Sequence, residues 1–211
     1  MLTLHYSPGA CSMVPHVLLF ETGVRFEKVL TSTSDGTTKS DAFKQINPKG
    51  RVPVLVIDGA VLTEAPAISS YISAQAPDMY LMGRNPLEEA RVLEWFNWLS
   101  GTLHGQAVAG MFRPYRFTDE ESAFAGIKAK AKLTMKDGHS QIEAKLNGGG
   151  WACGDHFTAA DPMLLFIWRM SVRLGFPMTS TYPAYTAWTK RMEAQPSVAA
   201  MLAAEEISLW S

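Results

Sequence analysis

The segment Tyr6–Ser12, which reads Tyr-Ser-Pro-Gly-Ala-Cys-Ser, carries the side chain best suited to thiol chemistry, Cys11. An alternating apolar segment that predicts a strand, Leu2–Tyr6, precedes it, and an apolar segment that predicts a helix, Met13–Phe20, follows. Cys11 therefore falls at or just before a helix N-terminus, where free amides and the helix dipole stabilise an anion. This field favours a thiolate, in the protein or in a bound ligand. From position alone, a buried and inert cysteine is an equally good interpretation.

The residues after Cys11 limit the thiol reactions that are open to it. Val14 stands where a Cys-x-x-Cys pair has its second cysteine, so dithiol redox chemistry is disfavoured and monothiol exchange stays open. Ser12 either donates a hydrogen bond to a thiolate or only caps the first helix. Cys153 is the one other cysteine, so no disulfide framework is expected. We expect both thiols to be reduced, in a cytoplasmic protein.

Two further segments could bind a peptide-like ligand. In Asn47–Val54, Val52 precedes Pro53 and an apolar strand. A cis bond between these two residues would expose the backbone groups of Val52 to an extended ligand, whereas a trans bond would leave a plain edge strand. In Thr63–Pro66, at a helix start, free amides could hold a carboxylate, and Glu64 could accept an ammonium or only complement the helix dipole.

The elements that must position these residues divide the chain into two parts. Residues 1–76 alternate in the order β-α-β-α-β-β-α, with a hairpin at Asp58-Gly59, and predict an α/β domain with a small mixed sheet. Residues 77–86 contain prolines and a glycine without periodicity and predict a linker. The all-helical part, 87–211, has apolar periodicity in five segments: 87–103, 120–146, a segment ending near 174, 182–193 and 197–205. Thr158–Asp161 has the form of a capping box before the most apolar helix, where Pro162 removes an early intrahelical donor.

Composition excludes several classes of protein. The chain has 211 residues, 47% of them hydrophobic, and a net charge of −1 without a Lys/Arg cluster, so no nucleic-acid partner is expected. The N-terminus lacks the basic and apolar regions of a signal peptide, and no apolar run approaches the ~20 residues of a membrane span. The five histidines show no metal-site spacing.

Taken together, the motifs resemble those of cytosolic glutathione transferases, most closely the bacterial beta class. The resemblance covers essentially the whole chain and rests on six segments in this order: Tyr6–Ser12, Asn47–Pro53, Leu62–Ile68, Leu93–Trp98, Leu103–His104 and Trp151–Asp161. It implies a thioredoxin-like N-terminal domain followed by an all-α domain, which agrees with the elements read independently above.

The resemblance also implies roles, position by position. Cys11 corresponds to the beta-class cysteine, which lies near the glutathione sulfur and can form a mixed disulfide with it. Val52 precedes the family's cis-proline, Pro53, and pairs with the cysteinyl backbone of glutathione, which is the co-substrate. Glu64 and the amide of Ala65 hold the γ-glutamyl end.

In the helical part, the resemblance implies that Asn97 and His104 line the cleft. His104 would hydrogen-bond water or a sulfur near Cys11. Thr158 and Asp161 correspond to the family's capping box, which serves folding. No metal is implied.

Departures from the beta-class pattern predict weaker glutathione binding, or a different thiol ligand. Ala65 replaces a usual Ser or Thr and keeps only the amide. Thr102 and Gly105 replace a Glu and a Lys beside the histidine, and Thr31–Thr38 lacks the basic residues of relatives; exposed ion pairs contribute roughly 0.2–1 kcal/mol each. Three nearby cations are expected to be solvated more than to compensate: Lys39, Lys49 and Arg51.

The implied activity is conjugation of the glutathione thiolate, favoured by Cys11, nearby amides and the helix dipole, to small hydrophobic electrophiles. This is a detoxification activity, carried out by a homodimer that forms contacts through the helices at 87–110 and 118–146. Two other functions stay open: a glutathione-dependent disulfide reductase that uses Cys11 as a monothiol, and a non-catalytic binding protein of the same fold. A glutathione-dependent isomerase is disfavoured, because the Ser-rich turn expected for it is missing.

Overall fold

The computed structural model describes residues 1–211 and consists of a four-stranded sheet with its helices, followed by an all-helical region. This confirms the fold class. The strands lie in the order β2-β1-β3-β4, with β1 parallel to β2 and antiparallel to β3. The elements of this half are β1 Leu2–Tyr6, α1 Met13–Thr22, β2 Phe26–Leu30, α2 Asp41–Ile46, β3 Val54–Ile57, β4 Ala60–Thr63 and α3 Ala65–Ala74.

The hairpin between β3 and β4 has the two-residue turn expected from Asp58 and Gly59. Their φ angles are 48° and 92°, both positive as this tight turn requires, and Ile57 pairs directly with Ala60. The hairpin places β4 at the edge of the sheet, and α3 begins soon after it.

The helical half departs from expectation at its first helix. The helix predicted over 87–103 begins at Pro86, behind the N-cap Asn85, and continues to Phe112. Its middle part, Trp98–Val108, is π-helical, a rare form that nothing in the apolar spacing indicates. The helices of this half are α4 Pro86–Asn97 with this π-helical continuation, α5 Ala109–Phe112, α6 Phe124–Leu146, α7 Ala160–Arg173, α8 Met178–Thr181, α9 Pro183–Glu193 and α10 Pro196–Glu205.

Helix α1 joins the two halves. Residues 13–19 are all buried, because α1 packs against α3 and also against α7 and α10. One hydrophobic cluster of 40 buried residues accordingly runs from Leu2 to Leu209. The division into domains 1–76 and 87–211 stays a prediction, and the core is continuous across it.

A buried carboxylate holds the loop before α7. Asp161 accepts hydrogen bonds from the backbone N–H of Thr158 (2.8 Å), from its hydroxyl (3.0 Å) and from the N–H of Ala152 (2.8 Å). Burial raises the pKa of Asp161 to about 6. Pro162 lies in the first turn of α7, where its missing N–H would have no intrahelical partner in any case.

None of the helices combines the length and the hydropathy that a membrane span requires.

A buried histidine should make stability depend on pH. His139 on α6 bonds through Nε2 to the Ser171 hydroxyl on α7 at 2.6 Å, and burial lowers its pKa to about 4. Because the folded pKa lies below the ordinary value near 6.5, the neutral ring stabilises the fold above pH 6.5, and this contribution is lost as pH falls toward 4. Between pH 7 and pH 5, wild type should lose about 2 kcal/mol more of its unfolding free energy than His139→Gln.

Urea unfolding of both proteins at the two pH values measures this difference. Titrating groups other than residue 139 contribute equally to both proteins and cancel. Equal losses in the two proteins would contradict the prediction.

Candidate functional site

The loop between β1 and α1 is closed by its own serines. The Ser12 hydroxyl donates to the carbonyl of Ser7 at 3.1 Å and accepts from the N–H of Ser7 at 3.0 Å. Ser12 is fully buried and its side chain makes no cap bond to α1. In the free protein the Ser12 hydroxyl therefore bonds to the loop backbone rather than capping α1, and its role as a donor to a thiolate stays a prediction.

Cys11 lies two residues before α1, as expected. Its Sγ donates a hydrogen bond to the carbonyl oxygen of Val52 at 3.4 Å. Burial raises the pKa of the Cys11 thiol to about 11, Glu64 raises it further, and Arg113 and Arg51 oppose the shift. In the free protein the loss of hydration therefore favours the neutral thiol, which is the second of the two interpretations left open for Cys11.

The Val52–Pro53 peptide bond is cis, the first of the two alternatives. Both residues are buried and lie directly before β3. The thiol of Cys11 and the carbonyl of Val52 thus bring together two motifs that are distant in the sequence. A peptide extended along Val52 would pass the thiol.

The start of α3 forms the third part of the site. Glu64 has a φ of 72°, a conformation rare outside glycine that is often found at ligand sites. Ala65, buried, opens the helix, whose first-turn amides lack intrahelical partners. Lys49 donates to the Glu64 carboxylate, and at 2.8 Å to the Thr63 hydroxyl. Lys49 is therefore paired rather than simply solvated.

Asn97 and His104 lie in the helical half, Asn97 at the end of α4 and His104 in its π-helical continuation. The His104 ring packs edge-to-face on Phe166, with 4.8 Å between ring centroids, and is partly exposed. Burial, and then the positive charges of three arginines, lower the pKa of His104 to about 4, so the ring is neutral at pH 7. Asn97 is exposed at the end of α4.

Arg113 and Arg116 are the cations that sequence reasoning missed, and they act electrostatically on Lys39, which it had named together with Arg51. Lys39 lies beside Arg51, because it donates a hydrogen bond to the carbonyl of the preceding residue, Gly50, at 3.3 Å. No carboxylate lies within ion-pair distance of Arg51, Arg113 or Arg116. Arg51 and Arg113 act on the pKa values of both Cys11 and His104. No local pattern in the sequence shows that Arg113 lies near Arg51.

The comparisons with known proteins agree with this geometry. Residues 2–74 match the model of the glutathione S-transferase N-terminal domain, and residues 104–196 match that of the C-terminal domain. Glutathione S-transferase GstA of Escherichia coli is 31% identical over 97% of this chain and 98% of its own length. A glutathione S-transferase of Xanthomonas campestris is 30% identical over 98% of this chain and 100% of its own.

Solved structures give the same result. A glutathione transferase homologue from Sulfitobacter with bound glutathione superposes with a TM-score of 0.91 at 29% identity, over 98% of this chain and 99% of that one. A bacterial beta class glutathione S-transferase from Sphingomonas chungbukensis has a TM-score of 0.85 at 33% identity, over 98% of this chain and 100% of that one. With the thiol, the cis-proline and the helix start arranged as described, the chain belongs to the glutathione S-transferase family.

Proposed function

We propose that the protein conjugates glutathione to small hydrophobic electrophiles. The observation that carries this proposal is the 3.4 Å contact between the Cys11 sulfur and the Val52 carbonyl. It sets a thiol beside a backbone edge that can pair with an extended peptide, in a chain whose relatives include a protein solved with glutathione.

The polar groups around this contact fit the charges of glutathione. Bound along Val52, the tripeptide would place its γ-glutamyl end at α3, where the amide of Ala65 can hold a carboxylate. The glutathione ammonium would take the place of Lys49 on Glu64. The glycyl carboxylate would form ion pairs with Arg51 and Lys39. These two side chains would take the place of the basic residues that Thr31–Thr38 lacks.

In this proposal Cys11 acts as a hydrogen-bond donor. With a pKa of about 11 it is a thiol at pH 7. Its S–H, which in the free protein donates to Val52, would turn to the glutathione sulfur and stabilise that sulfur as the thiolate. The thiolate forms a bond to the carbon of the electrophile, the leaving group departs with the bonding electrons, and the thiol proton goes to solvent.

The electrophile would bind on the helical side of the cleft. Exposed aromatic side chains in this region are 43–58% accessible: Phe112, Tyr115 and Phe117. The neutral ring of His104 offers one donor and one acceptor to a bound water or leaving group. Detoxification is the role proposed for this activity, and the two free cysteines are compatible with a cytoplasmic location.

The test is conjugation of chlorodinitrobenzene in the presence and absence of glutathione. Wild type should show glutathione-dependent turnover, and calorimetry should detect glutathione binding. Cys11→Ala should lower kcat by about tenfold or more, because it removes a donor to the developing anion. Cys11→Ser keeps a donor and should retain most of the activity, as should the control Cys153→Ser.

The disulfide-reductase alternative predicts a different pattern. There Cys11 itself attacks a disulfide sulfur, so Cys11→Ser would abolish reduction of a mixed disulfide. The raised pKa of Cys11 weighs against this function, because little thiolate is present at pH 7. Absence of both activities, together with absence of glutathione binding, would leave the non-catalytic interpretation and refute the proposal.

Ala65→Ser should strengthen glutathione binding. The new hydroxyl lies at the helix start beside the proposed γ-glutamyl carboxylate, and one added hydrogen bond contributes about 0.5–1.5 kcal/mol, which corresponds to a KM for glutathione about two- to tenfold lower. Ala67→Ser makes the same chemical change on the exposed face of α3 and is the matched control. An equal KM in the two variants would contradict this placement of the γ-glutamyl end.

We also propose that the protein is a homodimer. The helices expected to form the contact, at 87–110 and 118–146, carry three exposed leucines: Leu87, Leu93 and Leu133. Light scattering should give a mass close to twice the 23.2 kDa of one chain. A mass of one chain would refute the dimer.

A further inference from the structure

The loop that carries Cys11 is held by residues from the far end of the chain. The N–H of Gly9 donates to Glu205 Oε2 at 2.7 Å, and the carbonyl of Gly9 accepts from the guanidinium of Arg169 at 2.9 Å. Glu205 ends α10 and Arg169 lies on α7, so both polar groups of this residue are held by the helical half.

The two side chains are themselves fixed. Glu205 Oε1 accepts a hydrogen bond from His16 Nδ1 at 2.7 Å, and both side chains are completely buried. Arg169, also buried, donates through Nε to the carbonyl of Ser208 at 3.1 Å. A carboxyl and a guanidinium group, each of whose side chains makes a second hydrogen bond, therefore hold the N–H and the carbonyl of Gly9.

This arrangement accepts only glycine at position 9. Its φ of 65° is in the left-handed region, and a Cβ there would lie 2.3 Å from the Arg169 guanidinium. Glycine is also the residue with the greatest conformational freedom, so without these bonds the loop would be loosest at this point.

We propose that Glu205 and Arg169 are positioning residues that fix the loop so that the Cys11 sulfur points at the ligand edge of Val52. Cys11 is two residues from Gly9, and the Ser7–Ser12 bonds transmit the fixed position across the loop. The catalytic part of this inference rests on the proposed function. Its geometric part concerns Cys11 alone and can be tested without glutathione.

Other bonds of α10 provide a comparison, because they join the same two halves without contacting the loop. Lys28 on β2 donates to the carbonyl of Ala204 at 3.1 Å, and the Ser197 hydroxyl donates to Glu21 on α1. Lys28→Met and Ser197→Ala therefore weaken the attachment of α10 and leave the bonds to Gly9 in place.

The experiment compares these controls with Glu205→Leu, Glu205→Gln and Arg169→Met, all in a Cys153→Ser background. The first readout is kcat and KM for glutathione conjugation of chlorodinitrobenzene. The second is the rate of Cys11 alkylation by iodoacetamide, without glutathione, as a function of pH. Circular dichroism and thermal unfolding identify variants that are not folded.

Glu205→Leu and Arg169→Met should lower kcat by about tenfold or more, because small displacements of a reacting centre are costly. Their Cys11 should be alkylated several-fold faster than in wild type, with a lower apparent pKa, since a loosened loop exposes the thiol to water. Glu205→Gln, which keeps an acceptor for the Gly9 N–H, should recover most of the loss. The controls should resemble wild type in both readouts.

Wild-type kcat and wild-type alkylation in folded Arg169→Met and Glu205→Leu would overturn the inference. So would controls that lose as much as the loop variants, because the effect would then come from attachment of α10 in general. If Glu205→Leu does not fold, Arg169→Met and Glu205→Gln decide. If wild type conjugates nothing, the proposed function fails while the alkylation rates still decide whether the loop is held.

Discussion

The burial of residues 13–19 of helix α1 is the constraint on which the site depends. Helices α3, α7 and α10 pack against this helix, and the loop before it is bonded by the Ser12 hydroxyl and by the side chains of Glu205 and Arg169. That loop brings the Cys11 sulfur to the Val52 carbonyl and joins two segments that are far apart in the sequence. The packing of helix α1 therefore determines where the thiol of Cys11 contacts the backbone of Val52.

Burial also shifts the pKa values of four groups in the core and at the site. The thiol of Cys11 and the carboxyl of Asp161 have raised pKa values, while the rings of His104 and His139 have lowered ones. In all four groups the loss of hydration is the largest cause, and it favours the neutral form. In the glutathione complex that we propose, the thiol of Cys11 and the imidazole of His104 are neutral. The sulfur of the bound tripeptide would then be the one anion among these three groups.

Local patterns predicted much of the fold, and the longer-range features explain the errors. The hairpin at Asp58-Gly59 was predictable, because its residues act within one turn of the chain. The π-helical stretch Trp98–Val108 was not, since its apolar spacing does not distinguish it from an α-helix. The ionisation of Cys11 was left open between an activated thiolate and a buried, inert cysteine, because the sequence contains no information on the packing around the thiol.

The candidate site likewise contains residues that local motifs identify and residues that only the tertiary structure reveals. The motif segments identified Cys11 and Glu64, and the bond between Val52 and Pro53 was left open until the structure gave its geometry. The pairing of Lys49 with Glu64 and the position of Arg113 depend on side chains whose neighbours are set by tertiary structure. No spacing in the sequence contains that information.

The bonds between Gly9 and the side chains of Glu205 and Arg169 have a consequence for the order in which the protein is made. Synthesis runs from the N-terminus, so Cys11 and Val52 leave the ribosome long before α10 exists. Until residues 196–205 have been added, the N–H of Gly9 has no carboxylate to bind. A nascent chain of this protein can form its sheet early, but it acquires the held form of its thiol loop only after α10 has been synthesised.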